Sequence, residues 1–182
     1  MSMRARAPAL IVWMALVCAL AAVPRSAAAA FPDAYKPTPV QAGGLPKRHE
    51  FDLTAALKRA QREHKRLYVY LGASDCPFCR RYEAFLQRHA DELAPHFAKD
   101  YLVFDLRSSL SVTADKLYFR IGDKSLPYAE FMRAIGDERV RMLVYPSVWL
   151  FDGHAKPLMQ MPAGTGTFET VPEQLEILRL QQ

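Results

Sequence analysis

Cysteine and histidine are both scarce in this sequence, which has three cysteines and five histidines among 182 residues. So few cysteines exclude a small secreted fold held together by several disulfides. The histidines are scattered, without a pair separated by three to five residues, so a structural zinc site would lack half of its ligands. We therefore expect no bound metal.

Acidic side chains are absent from the first thirty residues, which have the pattern of a secretory signal peptide. Two arginines precede an apolar run at residues 9–23, and small residues lead up to Ala30. An uncleaved membrane anchor is the alternative, but the run is short for a hydrocarbon core of ~30 Å. We predict that residues 1–30 are removed by cleavage after Ala30, which leaves no segment inserted in a membrane.

Removal of the signal peptide changes both the charge and the cysteine count. Three of the 24 basic residues and none of the 19 acids lie in it, so the rest of the chain has a net charge of +2. Such a small charge gives no reason to expect nucleic-acid binding. Cys18 would be lost, which leaves Cys76 and Cys79 as the only pair. The remaining length suits one domain, which we expect to be monomeric.

Hydrophobic periodicity outlines the remaining chain. Residues 31–50 contain four prolines and two glycines, which predicts an extended leader without a helix or a strand. The domain proper is predicted to cover residues 51–182. Its first half is predicted to contain a helix at 52–65, a strand at 67–73, a helix at 80–97 and a strand at 101–106. A strand, helix and strand at this spacing form a right-handed βαβ unit with a parallel strand pair.

A long segment separates the second predicted strand from the third. Its length exceeds what a crossover needs, so we predict a helical insertion at about residues 108–139. Its predicted helical pieces cover 114–119 and 127–135. The chain is then predicted to end with strands at 148–151 and 156–161 and a helix at 170–180. The predicted fold class is α/β, with a central mixed sheet of four strands.

The two remaining cysteines directly follow the first predicted strand and open the next predicted helix. Cys76 would lie at the helix N-terminus, where free N–H groups and the helix dipole favour a thiolate. Pro77 suits the first helical position, and Phe78 is apolar. Cys79 would lie one turn deeper and within reach of Cys76. This spacing favours reversible disulfide exchange, with Cys76 as the nucleophile and Cys79 as the resolving thiol.

The order of elements resembles the thioredoxin superfamily over about residues 52–182. The resemblance rests on the sequences LYVYLGASDCPFC, YPSVWLFD and PLMQMPAGTGTF. It implies a three-layer α/β/α sandwich in which Pro146, at the start of the third strand, follows a cis peptide bond and faces the cysteines. It also implies that the backbone of Tyr145 pairs with an extended substrate chain.

Two departures from the family pattern affect the expected chemistry. Thioredoxins carry a buried aspartate six residues before the first cysteine, but that position here is Tyr70. Another base, or water, would then have to deprotonate the resolving thiol. Glu83, one turn beyond Cys79, is a weak substitute, and we expect it to be an exposed residue of the helix face. The Cys-Pro-aromatic-Cys motif is similar to that of glutaredoxins, yet the segment after Pro146 lacks the Gly-Gly and acid that hold glutathione there.

Together the residues and the resemblance predict a periplasmic thiol–disulfide oxidoreductase that needs no bound cofactor. The expected partners are the thiols and disulfides of exported proteins and a redox-recycling protein. Dithiol pairs span reduction potentials from about −120 to −270 mV, so either direction of electron flow stays open. The alternative is a protein-docking module with a non-catalytic disulfide and an apolar patch of Phe78, Tyr128 and Tyr145. The expected catalytic residues are Cys76, Cys79 and Pro146, and the expected substrate-binding residues are Pro77, Phe78 and Tyr145.

Overall fold

The computed structural model of the protein describes residues 30–44, 47–137, 142–161 and 169–179. Apart from Ala30, the predicted signal peptide lies outside these residues. The strands are β1 Thr38–Val40, β2 His49–Asp52, β3 Arg66–Ala73, β4 Tyr101–Ser108, β5 Leu117–Ile121, β6 Lys124–Pro127, β7 Ser147–Phe151 and β8 Pro157–Met161. The helices are α1 Thr54–Glu63, α2 Pro77–Arg88, α3 Ala90–Asp100, α4 Tyr128–Ala134 and α5 Val171–Arg179.

The central sheet is mixed and has the strand order β1-β4-β3-β7-β8. Strand β3 pairs in parallel with β4 and antiparallel with β7, and β8 completes a hairpin with β7. These are the four strands predicted from the sequence. The apolar run of β3 is buried on both faces, as expected for a central strand.

Helices cover both faces of this sheet, which confirms the three-layer α/β/α sandwich that the resemblance implied. One face carries Leu67, Val69 and Leu71 of β3 and packs against α1 and α4. The opposite face carries Tyr68 and Tyr70 and packs against α2, α3 and α5. Because side chains alternate along a strand, β3 contributes to both halves of the core.

The segment predicted to be an extended leader is partly structured, which corrects that expectation. A 3-10 turn at Asp33–Tyr35 places Phe31 and Tyr35 in the core, where they pack on Tyr68 and Phe97. Strand β1 then adds a fifth strand beside β4, and β2 joins a second sheet. The prolines of this segment do not prevent pairing, because β1 lies at a sheet edge.

The single helix predicted at 80–97 is two helices, α2 and α3, which meet at His89. The His89 carbonyl accepts hydrogen bonds from the N–H groups of Glu92 and Leu93, so a new helix starts there. Pro95 lies inside α3. The acidic residues at the start of α3 suit the positive end of its dipole.

The insertion before β7 is only partly helical. A 3-10 turn at Ala114–Lys116 is followed by the β5–β6 hairpin, so the helix predicted at 114–119 is wrong, whereas α4 confirms the second piece. Strand β5 pairs in parallel with β2, which completes a three-stranded second sheet. Phe119 of β5 stacks on Phe131 of α4 at 4.2 Å, and both rings meet the edge of Trp149 in β7. The insertion therefore packs as part of the domain core.

Candidate active site

The turn between β3 and α2 places the two cysteines. Cys76 is the N-cap residue of α2, and its Sγ accepts a hydrogen bond of 3.1 Å from the backbone N–H of Cys79. Pro77 occupies the first turn of the helix, where its missing N–H costs nothing. The predicted placement of both cysteines is confirmed. An N–H group aimed at Sγ and the N-terminal end of the helix both favour negative charge on Cys76.

Tyr145 and Pro146, which directly precede β7, lie on the other side of the Cys76 sulfur. The Tyr145–Pro146 peptide bond is cis, as the resemblance implied. The Cys76 Sγ donates to the Tyr145 carbonyl at 3.7 Å, across 69 residues of sequence. Cys76 and Tyr145 therefore meet in the structure, and Pro146 directly follows Tyr145 in the chain. In the described dithiol both sulfurs are buried, with exposures of 1% for Cys76 and 0% for Cys79.

Three exposed hydrophobic side chains, Phe78, Leu110 and Met142, lie on segments at this edge of the sheet and together form what we call the apolar rim. These are the large hydrophobic side chains that stay exposed among the described residues, and Phe78 is 54% exposed. Phe78 and Leu110 follow the carboxyl ends of the parallel strands β3 and β4, and Met142 precedes the antiparallel strand β7. The Leu110 loop is attached to the motif by a 2.8 Å hydrogen bond from its N–H to Asp75 Oδ1. Leu110 and Met142 carry no motif that would have identified them from the sequence.

The apolar patch proposed for a docking module does not form as expected. Tyr128 is only 1% exposed, and its hydroxyl donates to the Met142 carbonyl at 3.0 Å. Tyr145 is buried as well. Of the three expected members, Phe78 alone presents a ring to solvent, because Tyr128 and Tyr145 are part of the buried core.

The resolving cysteine lies in an environment that disfavours its thiolate. Burial raises the pKa of Cys79 to about 12, and the neighbouring Cys76 adds to this shift. A hydrogen bond from the Ala73 N–H at 3.4 Å opposes this rise in pKa, and so does the neighbouring Tyr70 hydroxyl. Cys79 therefore needs help in losing its proton before it can attack a disulfide.

A buried polar network lies directly behind Cys79. The Tyr70 hydroxyl donates to Glu83 Oε1 at 2.8 Å, and Arg107 donates to the same oxygen at 2.6 Å. Arg107 also donates to Asp105 Oδ2 through Nε and a terminal nitrogen, at 3.1 and 3.0 Å. Glu83 is only 6% exposed, so the expectation of an exposed helix-face glutamate was wrong. The available signal was the pair of charged residues Asp105 and Arg107 in an otherwise apolar strand.

Gly72 leaves the space in which this network forms. Tyr70 and Gly72 lie on one face of β3, and their partners on β4 are Asp105 and Arg107. A Cβ at position 72 would lie 2.7 Å from both Tyr70 Cε1 and Arg107 NH1. Glycine is thus needed here for close approach rather than for an unusual backbone angle.

No cluster of three or more His, Cys, Asp or Glu side chains suited to a metal ion occurs in the part of the chain that the structure describes. Within the same ranges, no helix is both long and apolar enough to cross a membrane.

Comparison with known protein families gives a match to the thioredoxin-like domain over residues 53–177. The chain belongs to the thioredoxin-like domain family. The match begins just before α1 and ends within α5, so it contains both cysteines, the cis-proline and the insertion. No curated protein matches this thioredoxin-like chain.

Several solved structures are similar to this thioredoxin-like protein at low identity. A thioredoxin-fold protein from Helicobacter pylori is 14% identical over 65% of this chain and 83% of that chain, with a TM-score of 0.40. An exposed lipoprotein thioredoxin from Streptococcus pneumoniae is 17% identical over 66% and 88%, with a TM-score of 0.38. A reduced thioredoxin from Schistosoma mansoni is 12% identical over 73% and 96%, with a TM-score of 0.36.

Proposed function

We propose that the protein is an exported thiol–disulfide oxidoreductase that acts on partner proteins in the periplasm. The observation that carries the proposal is the position of Cys76 at the N-terminus of α2, with the Cys79 N–H on its sulfur and the Tyr145 carbonyl facing it. A structural disulfide between cysteines three residues apart would close a very short loop and stabilise the fold little. The arrangement suits exchange better than stability.

In the reducing direction, the Cys76 thiolate attacks one sulfur of a partner disulfide and expels the other as a thiolate. Cys79 then loses a proton and attacks Cys76 Sγ, which releases the second partner thiolate and forms the Cys76–Cys79 disulfide. Two electrons pass from the dithiol to the partner. The same steps in reverse transfer a disulfide to a partner dithiol, so the direction follows from the relative reduction potentials.

Partner proteins are proposed to dock across the apolar rim. Phe78, Leu110 and Met142 are exposed on three segments that meet at the edge of the sheet where Cys76 lies. An extended partner chain passing along Tyr145 and Pro146 would bring its disulfide to Cys76 while its apolar side chains cover the rim. Pro77 would border the same approach, since it follows Cys76 in the first turn of α2.

The test uses the exported protein and reduction of insulin by dithiothreitol. Cys76→Ser is expected to abolish turnover, because no other thiol occupies the helix N-terminus. Cys79→Ser is expected to accumulate mixed disulfides with Cys76, which mass spectrometry detects. Cys18→Ser is the matched control, since Cys18 lies in the predicted signal peptide and its replacement should change neither result. Turnover that survives Cys76→Ser would refute the proposal, and partner binding without turnover would identify a docking module.

A further inference from the structure

We propose that Tyr70 and Glu83 form a proton relay for Cys79, an inference that rests on the proposed disulfide exchange. Tyr70 is the neighbour of the reacting sulfur, and Glu83 acts through Tyr70 as the final proton acceptor. In this chain the relay would replace the buried aspartate that thioredoxins carry at the position of Tyr70.

The helix α2 and the strand β3 bring Cys79, Tyr70 and Glu83 together. Cys79 and Glu83 are four residues apart on α2, so their side chains lie on the same face of the helix. Tyr70 extends from β3 toward that face, where its hydroxyl lies beside Cys79 and donates to Glu83 Oε1 at 2.8 Å. A proton can therefore pass from sulfur to carboxylate through one intervening hydroxyl.

The transfer balances without any further reactant. The Cys79 thiol gives its proton to the Tyr70 oxygen while the Tyr70 proton moves to Glu83 Oε1. The products are a Cys79 thiolate, an intact tyrosine and a neutral Glu83. The thiolate then attacks Cys76 Sγ in the mixed disulfide, and Glu83 releases its proton to solvent or returns it to the departing thiolate.

The surroundings explain why the chain would use a relay. With a pKa of about 12, only about one in 10⁵ Cys79 thiols would be ionised at pH 7 without a base. Burial raises the pKa of Tyr70 well above its ordinary value, so Tyr70 passes a proton on rather than remaining a tyrosinate. Arg107 holds Glu83 Oε1 at 2.6 Å and is itself held by Asp105, which orients the carboxylate toward Tyr70.

The step made by Cys79 can be timed separately from the step made by Cys76. The reduced full-length protein, exported and purified, is mixed with one equivalent of the aromatic disulfide 5,5′-dithiobis(2-nitrobenzoate). Attack by Cys76 releases the first coloured thiolate in a bimolecular phase. Attack by Cys79 on the mixed disulfide releases the second in a unimolecular phase, which Cys79→Ser must lack.

Glu83→Gln keeps the size of the side chain but cannot accept the proton, and Tyr70→Phe removes the intervening hydroxyl. Each variant is expected to slow the second phase about 10²-fold at pH 7 and to leave the first within about twofold. Both should also make the second phase rise about tenfold per pH unit, because hydroxide then removes the proton, whereas the wild type should depend on pH far less. Glu92→Gln, an exposed position on α3, is the matched control and should change neither phase.

Each outcome bears on one of the two claims. Absence of the first phase in the wild type would overturn the proposed function itself. A normal first phase with an unchanged second phase in both variants would overturn the relay alone. If Glu83→Gln does not fold, Tyr70→Phe decides, since it keeps the ring that packs in the core. A loss of stability with unaltered rates and pH profile would show that the network is only structural.

A separate observation concerns the charge balance of the buried polar network behind Cys79. Among the described residues it contains two carboxylates, Glu83 and Asp105, and one cation, Arg107, so it is one positive charge short. The backbone N–H of buried Phe31 donates to Asp105 Oδ2 at 3.1 Å, while the buried Oδ1 lies 2.9 Å from Arg107 Nε but accepts no well-aligned hydrogen bond. We infer that cleavage after Ala30 supplies the missing charge as the α-ammonium group of Phe31.

Hydrolysis of the Ala30–Phe31 peptide bond consumes one water and leaves a free amine on Phe31. This amine is protonated at neutral pH in its ordinary state. It would have three N–H donors where the amide has one, so both Asp105 oxygens could be satisfied. Processing would thereby convert an under-compensated buried carboxylate into a neutral ion cluster.

The test exports the full chain in a Gram-negative host and identifies the N-terminus by mass spectrometry. Phe31 is expected as the first residue. Reductive methylation of the folded protein should then modify the lysines but spare the Phe31 amine, and Asp105→Asn should make this amine reactive. Asp33→Asn, an exposed carboxylate nearby, is the control and should leave the protection intact. A different N-terminus, or a Phe31 amine as reactive as lysine in the wild type, would overturn the inference, whether or not Asp105→Asn folds.

Discussion

The substitution Gly72→Ala tests the packing around the candidate relay most directly. Its added Cβ would lie 2.7 Å from Tyr70 Cε1 and 2.7 Å from Arg107 NH1. The Tyr70 ring is fully buried, and Arg107 is held by Glu83 and Asp105, so neither neighbour can withdraw freely. Overpacking of this kind costs about 1–3 kcal/mol of the free energy of unfolding.

Urea unfolding followed by circular dichroism measures the effect as a lower transition midpoint with an unchanged slope. Gly43→Ala is the matched control, because its Cβ would meet no atom within 4 Å. It is expected to change the free energy of unfolding by less than about 0.5 kcal/mol. Equal stability of the two variants would refute the argument that Gly72 is needed for close approach.

The same substitution predicts a chemical effect. Displacement of Tyr70 or Arg107 from their positions near Glu83 would lengthen the hydrogen bonds that make up the relay. In the two-phase disulfide assay, Gly72→Ala is therefore expected to slow the Cys79 phase and to spare the Cys76 phase. A variant that loses stability but keeps both rates would separate the packing argument from the relay.

Three further predictions concern the second sheet, the insertion and the rim. Hydrogen bonds from Ser125 and two arginines lower the pKa of Glu50 to about 2, so its contribution to stability is present above pH 4.5 and should be lost as the pH falls toward 2. Acid unfolding of Glu50→Gln should lack this part of the pH dependence, and an identical acid profile would contradict it. Phe119→Ala removes the ring stacked on Phe131 and should cost about 3–5 kcal/mol in urea unfolding; a loss below about 1 kcal/mol would show that the insertion is not part of the core. Phe78→Ala should raise KM for a protein disulfide several-fold while leaving stability within about 0.5 kcal/mol, and an unchanged KM would remove Phe78 from the docking surface.

The elements nearest the cysteines were well predicted because their signals are local. The apolar run of β3 indicated a strand buried on both faces, and the cysteine spacing located the start of α2 to within a turn. The hairpin β5–β6 was missed because its alternation of buried Leu117 and Phe119 with less buried Tyr118 covers only a few residues. In so short a run, the periods of a helix and a strand are hard to tell apart.

Glu83 shows why a charged residue on a helix can mislead. Glutamate is usually exposed, and nothing next to it in the sequence indicates otherwise. Its burial becomes affordable only because Tyr70 and Arg107 lie opposite it on the sheet and satisfy its oxygen. When contacting residues come from two strands and a helix, no local sequence pattern indicates that they pair.

The sequence by itself determined the strand, the cysteine pair and the helix that carries the pair, because these depend on spacing over a few residues. The N–H on Cys76 comes from Cys79, three positions away, and follows from helix geometry alone. Only the tertiary structure decided which groups face the Cys76 sulfur and the buried carboxylates. Tyr145 reaches Cys76 across 69 residues, Arg107 reaches Glu83 across 24, and Phe31 reaches Asp105 across 74. Burial and its compensation by hydrogen bonds depend on distance in space, which the order of residues leaves open until the sheet has formed.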